Sequence, residues 1–209
     1  MKIDCLVLGD YQTNCYVLRA ADDAVDCIVI DPGMQPEPLL DFLSAHRLNP
    51  LAAVLTHGHA DHIVGVAALR EAFSAIKVFI HELDAEMLQD PARNLSAFAG
   101  VAFTAAAADV LVRDGSVIEV AGIKLQVLHT PGHTPGGICL YARDHNLVFT
   151  DDALFAESIG RTDFPGSSSA QLITAIREKL LTLPDDTVVY PGHGPATTIA
   201  REKTTNPFL

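Results

Sequence analysis

Thr56-His57-Gly58-His59-Ala60-Asp61-His62 sets three imidazoles and one carboxylate between His57 and His62. His57 and His59 lie two residues apart, so in an extended segment both side chains leave the same face. Gly58 between them gives the backbone latitude to bring both onto one ion. Asp61 and His62 follow at the turn into a predicted helix, point elsewhere, and suit a second ion beside the first. The pattern differs from the helical His-Glu-x-x-His arrangement, in which i,i+4 spacing builds a single site. Zinc-like ions take neutral imidazole and carboxylate ligands at about 2.0–2.2 Å, and each of two sites needs more ligands than this cluster offers.

Further donors stand in similar surroundings. His133 lies in Thr130-Pro131-Gly132-His133-Thr134-Pro135-Gly136-Gly137, Asp152 in Thr150-Asp151-Asp152-Ala153-Leu154-Phe155, and His193 in Tyr190-Pro191-Gly192-His193-Gly194-Pro195. Thus five of the nine histidines fall in Gly- or Pro-rich loops at the C-terminal ends of predicted strands. Such loops are where a rigid scaffold presents functional groups. His46, His81, His129 and His145 lack that setting and read as surface or packed side chains.

Around these loops the chain alternates strands and helices. Ile3–Leu8, Cys15–Leu18 and Val25–Ile30 read as strands, and Leu39, Leu40, Leu43 and Ala45 mark a helix over Pro38–Arg47, stopped by Asn49-Pro50. Leu51–Leu55 feeds the histidine cluster, Val64–Phe73 is helical, and Ile76–Ile80 is a strand. Strands are then predicted over Val110–Val112, Ser116–Val120, Ile123–Leu128, Ile138–Tyr141, Leu147–Phe149 and Thr187–Tyr190, with an amphipathic helix over Ser169–Leu181. Leu88–Ala108 reads as a loop or short helices, and its Ala-rich part, Ala97–Ala108, as packing. Groups of strands followed by helices predict sheets packed on each other and covered outside by helices. The 209 residues suit one domain spanning 1–209.

Composition narrows the function classes. Lys+Arg is 14 against Asp+Glu 26, a net charge of −12 that disfavours phosphate backbones and anionic lipid. There is no Trp, and aromatic residues are 6%, which weakens a base-stacking surface. No apolar run approaches the roughly 20 residues that cross a bilayer, and Met1-Lys2-Ile3-Asp4-Cys5 does not read as a secretory signal. Cys5, Cys15, Cys27 and Cys139 show no Cys-x-x-Cys spacing, so reduced buried thiols and a cytoplasmic location are expected.

The order His-x-His-x-Asp-His, then His, Asp and His, resembles the metallo-β-lactamase superfamily over nearly the whole chain. The resemblance implies an α+β fold, a four-layer αββα sandwich. It implies two divalent ions, zinc by default with iron or manganese possible. Carried over by motif, His57, His59 and His133 would hold one ion. Asp61, His62 and His193 would hold the other, and Asp152 would bridge them. Within the superfamily the chain is similar to short glyoxalase II-like hydrolases through Thr13-Asn14-Cys15-Tyr16, Ile30-Asp31-Pro32-Gly33, Ser158-Ile159-Gly160-Arg161-Thr162-Asp163-Phe164-Pro165-Gly166 and Thr205-Asn206-Pro207-Phe208-Leu209. Two departures stand out. Asp151 occupies a position before the bridging aspartate that is usually glycine, and the chain is expected to lack the C-terminal helical domain that holds glutathione in full-length glyoxalase II.

That resemblance implies hydrolysis of an acyl thioester such as a hydroxyacyl-glutathione, the glyoxalase II step of methylglyoxal detoxification. Two divalent ions bring four positive charges, and Asp61, Asp152 and one hydroxide remove three. The remainder, about one, suffices to hold hydroxide near neutral pH and polarise a carbonyl. Asp61 could also orient that hydroxide, Asp31 could brace a ligand histidine or merely form a turn, and Arg161 could bind a substrate carboxylate or pair with Asp163. The rival reading is a persulfide dioxygenase of the same superfamily, with one iron on His57, His133 and Asp152. A β-lactamase is disfavoured by the lack of a visible signal, a nuclease by the acidic charge, and a non-catalytic module by the complete ligand set. The expected partner is a small-molecule thioester, with no nucleic acid and no membrane.

Overall fold

The computed structural model describes residues 1–100 and 102–209, and nothing is said of the Ala99 side chain. The chain divides into two compact units, the first comprising Met1–Val112 with Glu119–Lys124 and the second Arg113–Ile118 with Leu125–Leu209.

The first unit is built on a six-stranded sheet in simple sequential order, β1 (Lys2–Leu8), β2 (Thr13–Arg19), β3 (Asp26–Ile30), β4 (Asn49–Val54), β5 (Lys77–His81) and β6 (Val110–Val112). The first three strands pair antiparallel, and β3 to β6 run parallel. Helix α1 (Glu37–Ala45) connects β3 to β4, and α2 (Ala60–Ile63) with α3 (Val66–Ala72) connects β4 to β5, as parallel pairing requires. Leu39 and Leu43 of α1, and Val66 and Leu69 of α3, pack with Val17, Val29, Ala53, Leu55, Val78 and Ile80 of the sheet in one buried cluster. Alternation in the pleat puts Leu18, Ile28, Ile30, Ala52 and Val54 on the opposite face, and these are buried as well.

Pro50 lies inside β4 rather than ending a helix. Proline removes a ladder donor, and here the pairing of β3 with β4 shifts register between Cys27 and Ile28, opposite it. The stretch read as loop or short helices contains two 3₁₀ turns, Ala85–Gln89 and Ser96–Ala99, while Val101 lies outside the described residues. Phe103, Ala105 and Ala108 pack on the first unit's core. Buried Asn94 organises this stretch. Its Nδ2 donates to the carbonyls of Met87 (2.9 Å) and Phe103 (3.1 Å), and its own carbonyl accepts from Ala60 N at the start of α2 (2.9 Å).

The second unit carries a sheet ordered β14 (Thr197–Thr198), β13 (Val188–Pro191), β10 (Leu147–Asp151), β9 (Ile138–Ala142), β8 (Ile123–His129) and β7 (Val117–Val120). A small hairpin, β11 (Leu154–Phe155) with β12 (Ser158–Ile159), follows β10 directly. Helix α4 (Ser169–Ala175) starts on Ser168, whose Oγ accepts from Gln171 N, and runs on as a π turn over Ile176–Leu180. Leu172, Ile176 and Leu180 pack with Cys139, Tyr141, Val148 and Val189. Helix α5 (Ile199–Thr205), with β11, β12 and β14, had no period in the sequence to announce it.

Gly65 fixes how α3 leaves the site loop. Its N–H donates to Gly33 O (2.7 Å), and Gly33 N–H donates to His62 O (3.1 Å), clamping Asp31-Pro32-Gly33 to α2. A Cβ at Gly65 would sit 2.5 Å from Pro32 O, a backbone atom that cannot move aside cheaply. Gly65→Ala is expected to destabilise the chain by ~1–3 kcal/mol, read as a lowered urea midpoint.

Candidate metal centre

In the first unit the histidine cluster follows β4, and α2 begins at Ala60 with His59 as its N-cap. His57, His59 and His62 are buried, and Asp61 is partly exposed. Gly58 is needed for space: a Cβ there would meet Met87 Cβ at 2.6 Å. His57 Nε2 lies 3.0 Å from His59 Nδ1, and His62 Nε2 lies 3.3 Å from Asp61 Oδ2. The rings of His57 and His62 lie 4.3 Å apart by their centroids.

Asp31, at the end of β3, organises these donors. Its Oδ1 accepts from Thr56 N (2.9 Å), and its Oδ2 accepts from Thr56 Oγ1 (2.6 Å) and faces His62 Nδ1 (3.2 Å). A carboxylate on Nδ1 fixes the His62 tautomer and leaves Nε2 as an electron-pair donor. The Thr56 hydroxyl, its proton given to Asp31, faces His57 Nδ1 at 3.4 Å. Asp31 is thus both a turn former, with φ of +48°, and an acceptor for a candidate ligand. Asp84, which belongs to no motif of the sequence, is fully buried and accepts from Gly58 N (3.2 Å).

In the second unit His133, Asp152 and His193 come together. His133 Nδ1 donates to Arg161 O (2.8 Å), which leaves Nε2 as the electron-pair donor. That Nε2 lies 3.4 Å from Asp152 Oδ2, while His193 Nε2 lies 3.5 Å from Asp152 Oδ1. One carboxylate therefore turns a separate oxygen to each imidazole. Gly160 makes room, since a Cβ there would fall 1.8 Å from Asp152 O and 3.4 Å from His133 Nδ1. Asp151 has φ of +49°, the left-handed region that glycine adopts freely and Asp tolerates better than most residues. This backbone geometry accounts for the usual glycine and for its replacement here.

The Arg161 side chain is exposed and forms a two-pronged pair with Asp163 at 3.0 and 2.8 Å. Hydrogen bonding within this pair raises the Arg161 pKa and lowers that of Asp163. Its guanidinium also lies over the Phe164 ring at 4.5 Å. Burial pushes the Cys27 and Cys139 thiols up to about 12 and Cys15 well above its ordinary value, so none of these three is a thiolate nucleophile at neutral pH. His46 caps α1, with Nδ1 2.9 Å from Phe42 O, and His129 Nε2 lies 2.9 Å from Pro135 O.

The donor chemistry fits divalent cations. Two ligands at about 2.0–2.2 Å from one ion, at angles of about 90–110°, stand about 2.8–3.6 Å apart. The four pairs above span 3.0–3.5 Å. His57 with His59, and Asp61 with His62, could each hold an ion in the first unit, and Asp152 could join His133 to His193 through two ions in the second.

A model of the metallo-β-lactamase superfamily matches residues 8–193. The probable metallo-hydrolase YqgX of Bacillus subtilis is 39% identical over 210 residues, covering 100% of this chain and 98% of that protein. The hydroxyacylglutathione hydrolase GloC of Haemophilus influenzae is 35% identical, covering 100% and 98%. Among solved structures, the BLEG-1 B3 metallo-β-lactamase superposes with a TM-score of 0.94 at 41% identity, covering 100% of this chain and 99% of that one. TTHA1623 in a di-iron-bound form gives 0.87 at 38% identity, covering 99% and 100%. The fold is therefore the α+β metallo-β-lactamase fold expected from the sequence.

Asp31→Ala should weaken zinc retention by ~10–100-fold, measured against a competing chelator, because His62 loses its orienting carboxylate. Arg161→Ala should leave zinc retention unchanged, since Arg161 meets His133 through its backbone carbonyl.

Proposed function

Because the chain belongs to the metallo-β-lactamase superfamily, we propose that it is a two-metal hydrolase of acyl thioesters, with hydroxyacyl-glutathione as the substrate class. The carrying observation is Asp152, whose two oxygens face His133 and His193 separately, as a carboxylate shared by two cations must. In this reading His57, His59 and His133 would hold one ion, Asp61, His62 and His193 would hold the other, and Asp152 would be shared by both. Zinc is the default occupant, and the di-iron form of TTHA1623 keeps iron in play.

Bound there, the ions would make water nucleophilic near neutral pH and polarise the acyl oxygen. The residues do the rest. Asp61 accepts a proton-bearing contact from the attacking water and so aims it at the acyl carbon. Thr13 Oγ1, 3.5 Å from Asp61 Oδ2, helps hold that carboxylate. Asp31 keeps His62, and Arg161 O keeps His133, presenting Nε2. Thiolate is a good leaving group, so no side-chain acid is required on that side.

The thioester preference is supported by the likeness to GloC over the full length of both chains. The likeness to BLEG-1 favours a second reading, β-lactam hydrolysis. An amide nitrogen needs a proton as it departs, which a thiolate does not, and a shared substrate panel separates the two. The one-iron dioxygenase reading leaves Asp61 and His62 without a task. It predicts oxygen uptake with glutathione persulfide, which the hydrolase does not show.

Purified protein should hold two metal ions per chain and cleave lactoylglutathione. EDTA should abolish cleavage, and zinc or iron should restore it. Asp61→Ala should lower kcat by ~10²-fold or more. Full metal loading with no thioester turnover, or a β-lactam cleaved faster than any thioester, would overturn the assignment.

A further inference from the structure

Glu202 is a fully buried carboxylate in α5, nine residues beyond His193, and no task is assigned to it above. Three groups donate to it. Glu157 N–H reaches Oε2 at 2.8 Å, Asn206 Nδ2 reaches the same oxygen at 2.9 Å, and Thr197 Oγ1 reaches Oε1 at 2.6 Å. Asn206 Nδ2 also donates to Ser158 O at 3.1 Å, and Asn206 Oδ1 accepts from Phe208 N at 3.1 Å. The carboxylate thus ties together the β11–β12 hairpin, β14 and the Asn206–Phe208 segment.

Two of those elements, the hairpin and β14, adjoin the donors of the second unit. The hairpin starts two residues after Asp152 and is followed by Gly160, whose N–H donates to Ala153 O (3.4 Å) and whose Cα lies against Asp152 O. Arg161, the next residue, supplies the carbonyl that fixes His133. Strand β14 begins four residues after His193. Glu157 sits at the hairpin turn with φ of +59°, a left-handed conformation that costs a side-chain-bearing residue energy unless its surroundings hold it. The bond from its N–H to Glu202 is such a hold.

We infer that Glu202 is a positioning residue for the second unit's metal ligands, acting through the β11–β12 hairpin on Asp152 and on the carbonyl of Arg161. The inference rests on the metal reading above. It also gives the Asn206–Leu209 segment a task, because Asn206 locks Glu202 to Ser158, and Leu209 packs on the second unit's core.

The roles of charge and shape separate cleanly. Gln at 202 can still accept from Glu157 N and Asn206 Nδ2 through its oxygen, and its amide can donate to the Thr197 hydroxyl, which turns round. Alanine can do neither.

The test is zinc affinity of the full chain, by competition with a chromophoric chelator, for wild type, Glu202→Ala, Glu202→Gln and Asn206→Ala. Amide exchange at Glu157 and Gly160 is followed in the metal-free proteins. Glu202→Ala and Asn206→Ala should lower zinc affinity by ~10-fold and speed exchange at both amides, while Glu202→Gln should stay close to wild type on both readouts. Should Glu202→Ala fail to fold, Asn206→Ala and Thr197→Val carry the same expectation. Zinc affinity unchanged in the folded variants, with only the melting temperature lowered, would overturn the positioning role. A wild-type chain that takes up no zinc would instead bring down the metal reading itself.

Discussion

Electron-pair donors held against one another inside a protein cost free energy unless a positive charge or a proton lies between them. In this chain imidazole nitrogens and carboxylate oxygens, all buried except those of the partly exposed Asp61 and His193, stand 3.0–3.5 Å apart in four pairs, two in each compact unit. Around them the backbone is arranged to keep them there. Asp31 and Asp151 hold left-handed conformations at the ends of β3 and β10, and Gly65 and Gly160 admit backbone approaches that no Cβ would allow. A fold that needed only a packed core would have no use for such local cost.

The two units solve the same problem with different means. In the first, one carboxylate beneath the cluster receives two bonds from Thr56 and faces His62, so a single side chain sets both the loop's path and a ring's tautomer. In the second, the corresponding role falls to a backbone carbonyl, that of Arg161, and the loop carrying it is braced from the α5 side through Glu202. A carbonyl is insensitive to the side chain that bears it. The identity of residue 161 is therefore released for another purpose, and its guanidinium is engaged with Asp163 and Phe164 on the surface.

Much of this was legible in the chain itself. The clustering of His57, His59, Asp61 and His62, with His133, Asp152 and His193 in loops of like composition, named the candidate donors and, through the family pattern, the fold. Long periodic elements such as β2, α1 and β8 also announced themselves, to within a few residues at their ends. What escaped were features with no local period. Strands of two residues, β11, β12 and β14, carry no alternation to detect, and Pro50 signalled a break where β4 instead shifts its pairing with β3. Asp84, Asn94 and Glu202 are polar residues with partners as far as 26, 9 and 45 positions away, and burial of such groups is decided by tertiary contacts that composition does not encode.

The claim at the centre is that Asp152 is shared by two cations. Anomalous diffraction from zinc-loaded crystals tests it most directly. The account predicts two metal peaks about 3.5–4 Å apart, with one Asp152 oxygen on each. A single peak at full zinc occupancy, or two peaks with Asp152 bound to neither, would contradict it.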